Sequence, residues 1–514
     1  MRKTVFAALW VFSFCAQAQG GSAMEQMIRV VPSLNGSRLP AAQDGSHMAQ
    51  MIRFYSLAAA QGDAEAQTRM GVLYEQGFGV DKSLDSALVW YRKAAEQGNE
   101  RGQYNLGLAL LNGRGTAVDV KAAADWFAKA AASGYAVAQN QLSEMYLKGE
   151  GVPVEPAKAL FWLIKAAEGG EAVAQNNLAR RLIYGEGLAK DEAAGVRWLV
   201  KAAEAGNAAA QHNLGALYRD GGAGLAADAA QAVKWLSRSA EQGYASAAAK
   251  LGWMYEQGKG IEKSLPQAMD WYRRAAELGD VPSQAHLGWM LENGTAGAVD
   301  LAGAFAWYEK AAKAGDAQAQ NNLGLLYRDG RGVGISAAKA RDWFSKAALA
   351  GEPLAMFNLG VMAEDAKDLA AARQWLGQAA ELGSLLAQTR LGALLQAAGE
   401  AEAATRWFKK AAEAGYAPAQ NNLGVAFEKG YGISADAAQA AQWYRRAAEQ
   451  NDATAQNNLG VLLRDGLGVA KDADAALVWF VKAAEQGYAK AQINAGQMFE
   501  RLAREAAPAH PAQR

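Results

Sequence analysis

Residues able to carry chemistry are few and scattered. The chain of 514 residues has four histidines, His47, His212, His286 and His510, and one cysteine, Cys15. A zinc centre needs three or four ligands converging at about 2 Å, and these residues have no spacing that would bring such a set together. Neither a G-x-S-x-G elbow nor an H-E-x-x-H pair occurs, so the marks of an activated serine or a zinc hydrolase are missing. Paired glycines such as Gly77/Gly79, Gly149/Gly151, Gly330/Gly332, Gly430/Gly432 and Gly466/Gly468 invite comparison with a phosphate cradle. A phosphate loop follows a strand and carries Lys-Ser/Thr; these pairs have neither, and read instead as left-handed helix ends. Glu96, Glu168, Glu204, Glu241 and Glu277 share one recurring position. Recurrence marks a solvated structural role, not a single catalytic pair. No catalytic, cofactor or metal residue is expected, and the chain reads as a non-enzyme.

Recurrence is the dominant feature. Twelve of the fifteen tryptophans fall in one register: Trp90, Trp126, Trp162, Trp198, Trp235, Trp271, Trp307, Trp343, Trp375, Trp407, Trp443 and Trp479. Their spacing is 36 residues, with one step of 37 and two of 32, a period typical of solenoids. Repeats start at 64, 100, 136, 172, 208, 245, 281, 317, 353, 385, 417 and 453. The first half of each carries small or apolar residues at repeat positions 3, 7, 8 and 11. The second half, as in Ala87, Trp90, Tyr91, Ala94 and Ala95, shows the same helical stripe. Each unit is therefore helix A, loop, helix B, turn. Position 8 is Gly in ten copies, Ser143 and Ala179 in the others. A mid-helix Gly costs about 1 kcal/mol against Ala, so its retention predicts a closely passing helix. Trp is expected to fill the opposing volume. Stacked pairs then bury what one pair cannot.

Organisation follows from the repeat. Arg2 and Lys3, the apolar run Thr4 to Cys15, and Ala16-Gln17-Ala18 have the form of a signal peptide cleaved after Ala18. Phe14 before Cys15 argues against lipid attachment, and cleavage would leave no cysteine. Residues 19–47 read as a flexible linker and 48–63 as an N-terminal capping helix with Phe54 in the tryptophan slot. Residues 64–488 hold the twelve repeats, 489–506 a C-terminal capping helix and 507–514 a disordered tail. The repeats starting at Pro353 and Leu385 have 32 residues and lack the G-x-G-V loop, with Ala363-Glu-Asp-Ala-Lys-Asp-Leu and Leu395-Gln-Ala-Ala-Gly-Glu-Ala in its place. The missing four residues are expected to shorten the helical hairpin and alter local curvature across 353–416.

Lys plus Arg and Asp plus Glu number 52 each. This balance gives no electrostatic reason to expect nucleic acid, or a membrane surface except through a partner. The Lys or Arg at position 30, three residues after Trp in eleven repeats, is expected to lay its alkyl stem beside the indole with its charge in water. Binding is sought on helix A. Position 6 is Asn in seven repeats (Asn105, Asn177, Asn213, Asn322, Asn358, Asn422 and Asn458), with Asn494 beyond them. Its regularity favours a role in stacking over ligand binding. Position 5 varies more: Tyr104, Asn140, Asn176, His212, Asn321, Phe357, Asn421 and Asn457 are candidate partner contacts. Position 12 varies likewise, with Glu75, Arg219, Glu256, Arg328, Glu364 and Arg464 among its residues, and is expected to be exposed, which adds Arg219, Arg328 and Arg464.

The pattern A-x-A-Q-x-N-L-G-x-x-Y…G-x-G-V…A-x-x-W-Y-x-K-A-A-E-x-G, carried twelve times over 64–488, resembles the SEL-1-like repeat, a relative of the tetratricopeptide repeat. The resemblance implies an all-α, right-handed α-solenoid of about twelve helix-turn-helix repeats. It also implies an adaptor or scaffold that binds a protein or peptide on the concave helix A surface, and periplasmic or secreted bacterial members. It brings no cofactor. The cysteine-rich branch, in which a disulfide pins each repeat, is not matched here. Two other roles are expectations as well. One is an envelope factor binding glycan or peptidoglycan, with Trp253 and Trp289 as stacking residues. The other is a periplasmic regulator of a membrane sensor.

Overall fold

The computed structural model describes residues 46–506. The expected signal segment, most of the expected linker and the expected tail at 507–514 lie outside the described residues. The described part is an all-α repeat solenoid of twenty-six helices. The N-terminal helix spans Ser46–Ala60, so it takes in the end of the stretch read as linker. Helix A and helix B of every repeat are 13 residues long, from Ala64–Gln76 and Leu84–Glu96 to Ala453–Asp465 and Ala473–Glu485. The last helix is Ala489–Ala506. The chain forms two compact units, one through Asp280 with repeats 1 to 6 and one from Val281 with repeats 7 to 12.

Local sequence sets the helix ends. Asp or Ser caps most B helices; Asp436, for example, accepts from the Gln439 N–H at 3.0 Å, satisfying a donor the helix leaves unpaired. Helix A of the long repeats ends at a left-handed glycine such as Gly330, φ 70°, as the loop glycines foretold. The second glycine of each pair answers a different need. A side chain on Gly332 would run into the Leu301 carbonyl at the start of the preceding helix B, and Gly115, Gly151, Gly432 and Gly468 meet backbone in the same way, so these loops pack directly on the backbone of the preceding repeat. Asn451, φ 70°, stands where the other repeats end on glycine, and Asn tolerates that conformation best among non-glycine residues.

The core differs from expectation in one respect. The volume facing the position 8 glycine belongs to the residue after the tryptophan. A methyl group on Gly324 would lie 2.6 Å from Phe344 Cε1, and one on Gly288 would lie 2.7 Å from Tyr308 Cδ1. All twelve of these following residues, Tyr, Phe or Leu, are buried, whereas the tryptophans, Trp235 apart, are half-buried. The two copies with a side chain at position 8, Ser143 and Ala179, carry the smaller Leu163 and Leu199 opposite. No copy combines a position 8 side chain with an aromatic knob.

The short repeats keep full helices. Pro353–Asp365 and Leu369–Glu381 are 13 residues each, as are Leu385–Ala397 and Ala401–Glu413. The four residues are missing from the A–B connection, as their sequence places them, and the helices of the hairpin are not shortened. Lys367 takes φ 61° in the first of these tight turns and Gly399 φ 83° in the second. Ion pairs stand beside the turns: Arg390 to Glu364 at 2.6 Å and Arg373 to Glu400 at 2.5 Å.

Candidate interaction surface

Three sets of polar contacts tie repeat to repeat, and they determine which helix A residues remain for a partner. The first uses the recurring Gln at position 4, whose amide donates to a carbonyl near the end of the preceding helix B. Gln320 reaches Ala312 O at 3.0 Å and Gln388 reaches Ala380 O at 2.9 Å. The Gln carbonyl is satisfied wherever a second Gln occupies position 34: Gln97 donates to Gln67 at 2.7 Å and Gln486 to Gln456 at 2.8 Å. Repeats with another residue there leave the carbonyls of Gln103, Gln139, Gln175, Gln320 and Gln388 buried without a partner. Because an unmet buried acceptor is costly, Ala205→Gln, at the exposed position 34 facing Gln175, is expected to stabilise unit 1 by about 1 kcal/mol. A denaturant midpoint measures this.

The second set is an amide ladder. A position 6 Asn donates to the position 5 Asn of the preceding repeat: Asn213 to Asn176 at 3.0 Å, Asn358 to Asn321 at 2.8 Å, Asn458 to Asn421 at 3.0 Å and Asn494 to Asn457 at 2.8 Å. Four position 5 candidates are thus acceptors within the stack, and Asn321, Asn421 and Asn457 are buried. Asn140 Oδ1 is buried without a hydrogen bond. Tyr104 packs between Phe127 and Tyr135, each with ring centroids 5.5 Å away, and burial pushes its hydroxyl up to about 12. Phe357 packs half-buried against the core of unit 2. His212 lies against Tyr244 at 5.0 Å; burial lowers its pKa, and its Nε2 has no partner. The ladder pairing was missed because it links different positions of neighbouring repeats, which a single repeat's pattern does not reveal.

The third set involves position 12, where exposure was expected. Glu side chains there turn inward instead. Tyr91 donates to Glu75 at 2.7 Å, Tyr272 to Glu256 at 2.9 Å, Tyr308 to Glu292 at 2.8 Å and Tyr444 to Glu428 at 2.7 Å. Every repeat with Tyr after Trp has Glu at position 12, a covariation visible in the sequence. Arg114 and Arg331, from the next repeat's loop, close the first and third of these at 2.6 Å. Arg219, Arg328 and Arg464 each fork onto the following aspartate: Asp220 at 2.9 and 2.5 Å, Asp329 at 2.7 and 3.0 Å, Asp465 at 2.8 and 2.8 Å. Arg328 is exposed; Arg219 and Arg464 are half-buried.

Burial, together with the facing carboxylate, raises the pKa of Tyr91, Tyr272, Tyr308 and Tyr444. Folding holds these protons more tightly than the unfolded chain does, whose tyrosines titrate near 10.0. The contribution is complete below that value and is lost as pH rises through the folded values. The urea midpoint is therefore expected to fall above pH about 10, and less so in a Tyr308→Phe/Glu292→Gln protein.

The cations at position 30 are exposed, as expected, and most also bring their charge over the indole: Lys129 Nζ is 3.8 Å from the Trp126 ring centre, Lys310 3.8 Å from Trp307 and Arg446 Cζ 4.4 Å from Trp443, within cation–π range; Lys165 instead pairs with Glu168 at 3.2 Å. On helix A, Val72, Tyr184 and Trp289 are exposed. Trp289 stacks on His286 at 5.5 Å and 19°. Trp253 is half-buried against the core of unit 1. Among the described residues no cluster of three His, Cys, Asp or Glu is placed to hold a metal, and no helix is long and apolar enough to cross a membrane.

The Sel1 repeat profile matches twelve consecutive segments, from 64–99 through 453–488. The chain belongs to the Sel1 repeat family. It is similar to the crystal structure of c5321, a protective antigen of uropathogenic Escherichia coli strains with an SLR fold. That likeness has 33% identity and a TM-score of 0.63, over 88% of this chain and 90% of the other. A Sel1 repeat protein of Oxalobacter formigenes shares 32% identity over 63% of this chain and 96% of its own, with a TM-score of 0.45. No functionally curated protein matches. Sel1 repeat proteins generally mediate protein–protein interaction and are typically non-catalytic scaffolds.

Proposed function

We propose that this Sel1 repeat protein is an exported scaffold that binds a protein or peptide partner along the exposed residues of its A helices. The observation that carries this reading is a division within helix A. Positions 4, 8 and much of 5, 6 and 12 are engaged by the neighbouring helix or repeat, while positions 9 and 13 change identity from copy to copy and include the exposed Val72, Tyr184 and Trp289. A surface whose residues differ from repeat to repeat suits recognition of a polypeptide. Removing repeats 3 and 4, residues 136–207, keeps the register on both sides. Partner capture from the native envelope is expected to disappear while the helical circular dichroism per residue stays unchanged. Capture undiminished by that deletion would refute the reading for unit 1. Export rests on the Arg2–Ala18 pattern; the secreted chain is expected to begin at Gln19.

Glycan binding has one supporting observation, the exposed Trp289 on His286. Binding of envelope polysaccharide that is abolished by Trp289→Ala would favour it.

A further inference from the structure

The amide ladder changes chemistry between repeats 5 and 6. There position 5 holds His212 and position 6 of the next repeat holds Lys250. His212 Nδ1 lies 3.2 Å from Asn213 Oδ1, and Nε2 is buried without a partner. Lys250 is half-buried, and its pKa is lowered first by burial and then by Arg219. The other position 6 cations each have a carboxylate: Arg69 has Glu65 at 2.8 Å and Arg390 has Glu364 at 2.6 Å. Lys250 forms no ion pair. Arg219 and Lys259 share with it the field on one carboxylate, Asp220, which all three cations favour in its ionised form. Arg219 and Lys259 approach the Trp253 ring, each 5.4 Å from its centre. The acid among them is Asp220, and the Arg219 fork already holds it. Three cations with one engaged carboxylate is a local excess in a chain of zero formal charge.

We infer that Arg219 and Lys259, which approach Trp253, together with Lys250 near Arg219, form a cradle for the carboxylates of an acidic peptide segment. Charge complementarity calls for an anion. A compact phosphate is best held by an open guanidinium fork, and the Arg219 fork is taken. Stacking of a sugar needs a free aromatic face, and two cations approach that of Trp253. What remains are the two separate ammonium charges of Lys250 and Lys259 on repeat 6, beside Arg219 of repeat 5, which match carboxylates carried at intervals on a chain. This inference rests on the scaffold reading above and names the partner's chemistry for one segment of that surface.

The test uses the full chain and a fluorescein-labelled hexaglutamate peptide, read by fluorescence anisotropy at low and at physiological salt. Wild type is expected to bind, more weakly as salt rises. His212→Asn/Lys250→Asn installs the amide pair present at four other steps of the array. It is expected to bind the peptide at least about tenfold more weakly while unfolding at the same or higher temperature. Lys259→Gln, on an exposed side chain, is expected to weaken binding without touching the ladder. No binding by wild type, equal binding by the double variant, or tighter binding of a hexagalacturonate oligosaccharide than of the peptide would each overturn the inference. A double variant that loses the peptide yet still captures the native partner would also overturn it, leaving the broader scaffold reading intact.

Discussion

Gly324→Ala is expected to destabilise repeat 8 by about 1–3 kcal/mol, although alanine favours a helix by about 1 kcal/mol over glycine. The added methyl would stand 2.6 Å from Cε1 and 2.7 Å from Cδ1 of Phe344, a ring with no solvent exposure and no room to retreat. In a Phe344→Leu background the same substitution is expected to be nearly neutral, because Ala179 opposite Leu199 is already such a pair. The double-mutant cycle should therefore give a coupling of at least about 1 kcal/mol, read from denaturant midpoints or from hydrogen exchange along Ala317–Asp329. Equal costs in the two backgrounds would mean that the glycine is kept for some reason other than the knob it faces.

Glu292→Ala is expected to cost about 3 kcal/mol. It removes the carboxylate from two groups at once: the Tyr308 hydroxyl, whose ring is fully buried, and the Arg331 guanidinium, which keeps only a 3.7 Å contact to Asp329. Partial exposure of Arg331, at 38%, keeps the cost below that of a fully buried pair. Tyr308→Phe on top of Glu292→Leu is expected to recover most of the loss, since repeats 2 and 8 use Phe127 and Phe344 without a glutamate. Calorimetry of the three proteins decides this. A Glu292→Ala protein as stable as wild type would show the triad to be surface decoration.

The fold was legible because the tryptophans mark every copy, and periodicity alone located helix A and helix B. Side-chain roles were legible only where one repeat contains the whole interaction. The tryptophan's size drew attention from its smaller neighbour, yet Phe344 and Tyr308, not Trp343 and Trp307, fill the glycine hollow. The indoles instead stay half-buried beneath a Lys or Arg. Contacts that bridge copies, such as Asn358 to Asn321, leave no mark within one period. Two such signals were present across the copies: Glu at position 12 wherever Tyr follows Trp, and paired Gln at positions 4 and 34. For the surface the consequence is a narrower field. Variation at position 5 resembled specificity, but several of its residues serve the stack. Exposed variation lies at positions 9 and 13.

Site-specific photocrosslinking tests the helix A reading most directly. A benzophenone side chain at Val72, Tyr184 or Trp289, on helix A, is compared with one at Val89, Phe161 or Val478, on helix B; all six positions are exposed. With full-length protein in its native envelope, one discrete protein adduct is expected from the helix A positions and none from helix B. Adducts confined to the helix B positions would contradict the proposed binding surface.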